Sequence, residues 1–246
     1  MNDTYYFLSD VHLGLEDAQS EKAKEKILTD ALRMVKQDAK ELFIVGDLFD
    51  YWFEYRRVYQ KGFFRTLSAL QDLTDAGIIV HYLIGNHDFM HDSFFESALN
   101  IRLYEGNIEH KIGDKKFFIS HGDGLIKDDY LYNILKKILR NKTVQFLYSL
   151  IHPDLGISIA SHSSKKSREG GAKYEYDTRD KLFDVAKEKI DSGFDYVIMG
   201  HIHKRVSEDY KQGHYYNLGT WLKAPCLGKY KDDKFEFVEL EKYKNV

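Results

Sequence analysis

Short apolar runs that end abruptly on polar residues recur along this chain. They are Tyr5 to Leu8, Leu42 to Val45, Ile78 to Ile84, Lys116 to Ser120 (apolar at its centre) and Tyr196 to Met199. Runs of this length bounded by turn residues read as buried strands. Between them the period changes. Ser20 to Lys36 carries Ala23, Ile27, Ala31, Leu32 and Val35 among charged residues, which predicts an amphipathic helix with Ser20 as its N-cap. Gly62 to Asp75, with Phe63, Phe64, Leu67, Leu70 and Leu73, predicts a second that stops near Gly77. Thr178 to Ser192 predicts a third on Leu182, Val185, Ala186 and Ile190. Tyr215 to Leu218 and Phe235 to Glu239 read as closing strands, with Gly219-Thr220-Trp221 between them. Strands alternating with helices predict an α/β domain with much parallel pairing.

The strand tips are chemically alike. The first run ends in Asp10-Val11-His12, the second in Gly46-Asp47, the third in Gly85-Asn86-His87-Asp88. The fourth ends in His121-Gly122-Asp123 and the fifth in Gly200-His201-Ile202-His203. In α/β sheets ligands collect at the carboxyl ends of strands, where all these tips fall. Asp10 and His12, two apart on extended backbone, are expected to share a face. Gly46 permits close backbone approach, and Asp47 has two oxygens with which to bridge cations. Asp10, His12, Asp47, Asn86, His121, His201 and His203 together offer imidazole nitrogens and hard oxygens and no thiolate. That mixture suits Mn²⁺, Fe or Zn²⁺ rather than Ca²⁺. It suffices for two divalent cations bridged by Asp47, with positions open to water and substrate.

Two cations about 3.5–4 Å apart clamp phosphoryl oxygens and make hydroxide available near neutral pH. Phosphoester hydrolysis is the chemistry expected. His87, next to Asn86, would lie beside the phosphate to stabilise charge or protonate the leaving oxygen. Asp50, Asp88 and Asp123 are candidates to orient the ligand histidines, with local turn hydrogen bonds as the alternative for each.

Composition narrows the partners. The chain has 246 residues, enough for one large domain or a domain carrying an insertion. Its net charge of -3 provides no global attraction to nucleic acid, and no nucleic-acid partner is expected. Cys226 is the single cysteine, which excludes an internal disulfide and fits a reducing compartment. No apolar segment approaches the roughly 20 residues that span a bilayer. The N-terminus lacks the basic start of a signal peptide, so a cytoplasmic protein is expected.

Taken together, Asp10-Val11-His12, Gly46-Asp47, Gly85-Asn86-His87-Asp88, Ser120-His121-Gly122-Asp123 and Gly200-His201-Ile202-His203 resemble the full motif set of calcineurin-like metallophosphoesterases. The resemblance runs from Tyr5 to Trp221. It implies a four-layer αββα sandwich over residues 1–246, with a dinuclear site at the strand ends. It also implies roles: Asp10, His12, Asp47 and His203 around one metal; Asp47, Asn86, His121 and His201 around the other; His87 as the catalytic histidine.

The stretch after His121 is an insertion, placed at residues 128–176. Leu131, Ile134, Leu135 and Ile138 form one apolar stripe, with Lys136, Lys137 and Arg140 elsewhere, and Val144, Phe146, Leu147, Leu150 and Ile151 follow. Such a segment either packs on the domain or acts as a helical lid that holds acyl chains, its basic residues then facing anionic headgroups. With this lid, Gly46-Asp47-Leu48-Phe49, Asp88-Phe89, Asp128-Asp129 and Gly219-Thr220-Trp221, the chain is similar to the UDP-2,3-diacylglucosamine pyrophosphohydrolases of lipid A biosynthesis. That resemblance implies hydrolysis at the α-phosphorus by metal-activated hydroxide, giving UMP and 2,3-diacylglucosamine 1-phosphate, usually with Mn²⁺. It implies peripheral contact with the cytoplasmic face of the inner membrane. Asn86, His87, Asp129, Ser164, Lys165 and His201 would contact substrate. Two departures mark the chain: His87 stands where typical members have Arg, and His162-Ser163-Ser164-Lys165 where their lid reads Asn-Ser-Ser-Lys. A soluble phosphodiesterase acting on a nucleotide or other small ester, and a metal-binding interaction module without catalysis, are the competing readings.

Overall fold

Every residue of β1 (Thr4–Leu8) is buried, as befits a strand covered on both faces. It pairs in parallel with β2 (Ala39–Val45), which pairs with β3 (Ile79–Leu83), which in turn pairs with the short β4 (Arg102–Tyr104). On its other side β10 (Cys226–Lys231) and β11 (Lys234–Glu239) run antiparallel. A second sheet has the order β5-β6-β7-β9-β8. There β6 (Lys115–Ser120), β7 (Tyr196–Met199) and β9 (Gly213–Leu218) are parallel, edged by antiparallel β5 (Ile108–Ile112) and β8 (Arg205–Tyr210). The structure, a computed structural model, describes residues 3–55, 57–58, 60, 62–126, 130–159 and 178–240.

Alternation along the central strands gives each face its own core. Tyr6, Leu8, Leu42 and Ile44 pack against Leu28, Leu32 and Val35 of α1 (Ala18–Val35) and Leu67 and Leu70 of α2 (Phe64–Asp75). Their neighbours Tyr5, Phe7, Phe43 and Val45 meet Phe117, Ile119 and Ile198 of the second sheet. There Phe7 stacks on Phe43 with centroids 4.9 Å apart. The far face of the second sheet, with Phe118, Val197 and Met199, is closed by Leu182, Ala186 and Ile190 of α7 (Thr178–Asp191). Helix, sheet, sheet, helix is the predicted four-layer order. Parallel pairing is extensive, as predicted, and the hairpins β5–β6, β8–β9 and β10–β11 add antiparallel strands at the edges.

The helix expected from Ser20 begins two residues earlier. Asp17 is its N-cap, its carboxylate accepting from the N–H groups of Gln19 and Ser20 at 2.9 and 3.1 Å. A carboxylate also complements the positive helix end, which a serine hydroxyl does less well. After the small α3 (Phe94–Ser97), three helices follow β6: α4 (Tyr130–Leu139), α5 (Lys142–Ser149) and α6 (residues 153–159). Asn141 caps α5. The basic residues at the end of α4 do not all face outward. Lys136 Nζ lies 2.5 Å from Asp123 Oδ2, and Arg140 donates to the carbonyls of Gly85 and Glu105 at 3.0 Å each. What α4 to α6 expose instead is apolar, including Ile138, Phe146, Leu147, Leu150 and Leu155.

Candidate metal centre

All five predicted tips meet at one end of the sandwich, three from the first sheet and two from the second. The backbone there is not extended. Asp10, His12, Asp47, His201 and His203 all have positive φ, between 50° and 73°. This left-handed conformation is uncommon for residues with a Cβ and turns these side chains into the mouth between the sheets. The expected Asp10–His12 pairing is therefore made by a twisted loop rather than by strand geometry. Two glycines let the tips close in. An added Cβ at Gly46 would overlap the His121 ring, and one at Gly85 would overlap the Asp47 carboxylate.

Asp10, His12, Asp47 and His203 bring one ligand atom each to within 4.8 Å of one another. His203 Nε2 is 3.2 Å from Asp10 Oδ1 and 3.0 Å from His12 Nε2, and His12 Nε2 is 3.7 Å from both Asp10 Oδ1 and Asp47 Oδ2. A second convergence shares Asp47. His121 Nε2 lies 3.3 Å from Asp47 Oδ2 and 2.9 Å from Asn86 Oδ1, and His201 Nδ1 lies 2.8 Å from that same amide oxygen.

Each carboxylate is divided between backbone and centre. Asp10 Oδ2 accepts from the His201 N–H at 2.9 Å, while Oδ1 is buried with no hydrogen-bond partner among the described residues. Asp47 Oδ1 accepts from the His87 N–H at 2.9 Å, leaving Oδ2 to face both convergences. Asp47 would thus present Oδ2 to the residues of either convergence, 3.7 Å from His12 Nε2 and 3.3 Å from His121 Nε2. A buried carboxylate oxygen without a donor, beside facing imidazole nitrogens, fits a cation better than it fits protein hydrogen bonding. His121 Nδ1 is 2.9 Å from the Val45 carbonyl, which sets Nε2 toward the centre.

The electrostatics agree. Burial alone would raise the Asp10 and Asp47 carboxyls, but the surrounding imidazoles hold both well below the usual range. Burial would lower His12 and His121, yet the neighbouring carboxylates raise them to about 9 and about 10. His201 is pushed down to about 4, first by burial and then by the charge on His121. Cations entering here would replace protons on His12 and His121.

His87 stands at the edge, its ring 4.9 Å from that of His12, edge to face. Its Nδ1 is 3.5 Å from Asp50 Oδ1, the same oxygen that lies 3.5 Å from His12 Nδ1. Asp50 thus lies beside two histidines, at a distance longer than a hydrogen bond to His12 Nδ1. For Asp88 the alternative to an orienting role, hydrogen bonding to the local backbone, is what the structure has: its carboxylate accepts from Leu48 N, Gly85 N and the Tyr82 hydroxyl and holds the two loops together. Asp123 is engaged by Lys136 of α4 and by Arg140 just past its end. Asp129, Ser164 and Lys165 lie outside the described residues. Three supports were not anticipated. Lys24 of α1 is fully buried and donates to the His12 carbonyl at 2.8 Å. Thr220 Oγ1 and Trp221 N both donate to the Asp10 carbonyl at 3.1 Å. A buried lysine in an amphipathic helix was the available signal for the first.

A two-sheet sandwich with this constellation at its strand ends defines a class. Residues 4–205 match the calcineurin-like phosphoesterases, and the chain belongs to that family of metal-dependent hydrolases. Among proteins of that class it is similar to the UDP-2,3-diacylglucosamine hydrolase of Porphyromonas gingivalis, 33% identical over 174 residues that cover 70% of this chain and 66% of that one. The protein of the same name from Haemophilus influenzae is 25% identical over 240 residues, 95% of this chain and 98% of the other. In fold it matches a solved archaeal phosphodiesterase with a TM-score of 0.51 and 15% identity, over 96% of this chain and 99% of that one.

Proposed function

We propose that the protein hydrolyses the pyrophosphate of UDP-2,3-diacylglucosamine, yielding UMP and 2,3-diacylglucosamine 1-phosphate. The observation that carries this reading is the pairing of the seven-residue centre with an apolar-faced helical segment leaving from beside it. Relatives bearing that activity in their names align over nearly the whole chain.

Asp10, His12, Asp47 and His203 hold one divalent cation, and Asp47, Asn86, His121 and His201 the other, with Mn²⁺ the ion we favour. When bound, such a pair supplies Lewis acidity and lowers the pKa of water. The chain's own residues do the rest. Asn86 and His201 lie where the phosphate would lodge. His87, its Nδ1 toward Asp50, keeps a proton on the ring and gives it to the departing sugar-phosphate oxygen as the bond to the α-phosphorus breaks. Residues 128–176 act as the lid, whose exposed Ile134, Ile138, Phe146 and Leu147 receive acyl chains and contact the inner membrane surface. Among the described residues no helix is long and apolar enough to cross a membrane, so such contact is peripheral.

The test is direct assay of purified protein, loaded with Mn²⁺, on the acylated UDP-sugar and on the same sugar nucleotide without acyl chains, following UMP. Release from the acylated substrate alone is expected, and Ile134→Ser with Ile138→Ser should weaken it while leaving a chromogenic phosphodiester unaffected. Equal turnover of both sugar nucleotides would assign the protein to small nucleotide esters instead.

A further inference from the structure

Three polar side chains stand inside the apolar layer between the sheets, far from the strand tips. Glu41 lies on β2, His81 on β3 and His110 on β5. In the parallel β2–β3 ladder Phe43 is opposite His81, so Glu41, Phe43 and His81 point the same way, toward the second sheet. His110 comes from that sheet, between Ile108 and Ile112, which pack in the same core. Glu41 is 8% exposed and His81 1%. Both imidazoles converge on a single oxygen: Glu41 Oε2 is 2.7 Å from His81 Nε2 and 3.0 Å from His110 Nε2. Phe43 lies flat on His81 with centroids 4.5 Å apart and meets His110 edge-on at 5.0 Å, which fixes both rings.

We propose that Glu41, His81 and His110 form a mononuclear site for a divalent late first-row cation, Zn²⁺ above all, that joins the two sheets. Two imidazoles and one carboxylate make a donor set that zinc takes, and the set has too few oxygens for Ca²⁺ or Mg²⁺. Tetrahedral bonds of roughly 2.0–2.1 Å place donors about 3.3 Å apart, a little more than the 2.7 and 3.0 Å from Glu41 Oε2 to the two imidazoles, and all three ligand atoms already lie within 4.8 Å of one another. Tyr104 supplies the outer partner, its hydroxyl 3.0 Å from His81 Nδ1. With a cation on Nε2, His81 carries its proton on Nδ1 and donates to Tyr104; without one, Nε2–H donates to Glu41 and the tyrosine hydroxyl donates to Nδ1. A phenol takes either part, so His81 is satisfied in both states.

Burial alone would raise the Glu41 carboxyl, but the two histidines bring it down to about 2, so the anion is present near neutral pH. The His110 side chain is 22% exposed, which leaves a fourth position and an entry path for water. Glu41 precedes Asp47 by six residues and His81 precedes Asn86 by five. At about 3.3 Å per residue, Glu41 lies roughly 13 Å back from the end of β2 at Val45, beyond which Asp47 follows. The two centres are independent.

The experiment strips the whole protein with EDTA, reloads it with Zn²⁺, removes free ion and counts bound zinc by mass spectrometry. Wild type should hold one equivalent more than His110→Asn or Glu41→Gln, while phosphodiester hydrolysis is unchanged. Equal zinc content in all three proteins would overturn the site. Because Glu41 is internal, the wild-type protein is also crystallised with Zn²⁺ and mapped by anomalous scattering at the zinc edge. A peak among the three side chains supports the proposal. Peaks at the strand tips with none here would leave the cluster a hydrogen-bonded clasp and sink it.

Discussion

Removing the Asp88 carboxylate should damage the fold before it damages the chemistry. Asp88 is completely buried. Oδ1 accepts from Gly85 N at 2.9 Å; Oδ2 accepts from Leu48 N at 2.9 Å and from the Tyr82 hydroxyl at 2.5 Å. Asp47 N and Phe49 N also donate to the carboxylate, at 3.4 Å each, so Asp88→Ala strands five buried donors, three of them close. At about 1–3 kcal/mol for each of the close three, with some recovery by an entering water, the loss is about 3–6 kcal/mol. That is a large part of the roughly 5–15 kcal/mol that holds a typical domain together. The assay is urea unfolding in EDTA, so that cation binding does not contribute, followed by the fluorescence of the buried Trp52 and Trp221. Asp88→Asn, which retains one acceptor, should fall between alanine and wild type. Tyr82→Phe with Asp88→Ala should cost about 1 kcal/mol less than the two changes summed, since they remove the same bond. A loss below about 1 kcal/mol for Asp88→Ala, or strict additivity of the pair, would refute the assignment of Asp88 as the tie between the second and third tips.

Three further outcomes are expected. His87→Ala should lower turnover on the order of 10²–10⁴-fold with bound cation content unchanged; cations lost along with activity would make His87 a ligand. Asp47→Ala, by removing the oxygen that faces both convergences, should abolish turnover and release cation on gel filtration; retention of two equivalents would contradict the shared position. In acid, Glu41 has a folded pKa of about 2 against the ordinary 4.5, so its contribution is complete above about 4.5 and lost as pH falls through about 2. Metal-free wild type should exceed Glu41→Gln in stability at neutral pH, the two stability curves converging toward pH 2; parallel curves would contradict it.

The strand tips were legible because apolar runs and their polar endings are contiguous in the chain. Of the flanking strands β11 was legible, but β8 and β10 were not. β8, Arg-Val-Ser-Glu-Asp-Tyr, is an edge with charged residues on its open side, and β10 carries Lys229 and Lys231 around Tyr230. Neither holds an apolar run, and β10 owes its place to pairing with β1, more than two hundred residues away. His81 sat in plain view inside Ile78 to Ile84, yet its partners arrive from two other strands. For Asp88 an orienting role and local hydrogen bonds stayed open, because sequence adjacency to Asn86 and His87 says nothing of which way a side chain turns. The direction of Lys136 on α4 and of Arg140 just past its end was hidden for a similar reason: their acceptors, Asp123 and the Gly85 and Glu105 carbonyls, belong to other loops.

The five left-handed residues at the mouth carry a consequence for how this chain can evolve. Each L-residue held there costs about 1 kcal/mol, on the order of 5 kcal/mol over Asp10, His12, Asp47, His201 and His203. Glycine would relieve that strain at any of them, and at every one it would delete a donor from the centre. Drift toward a sturdier protein is therefore drift toward an inert one, and only selection for turnover keeps these positions as they are.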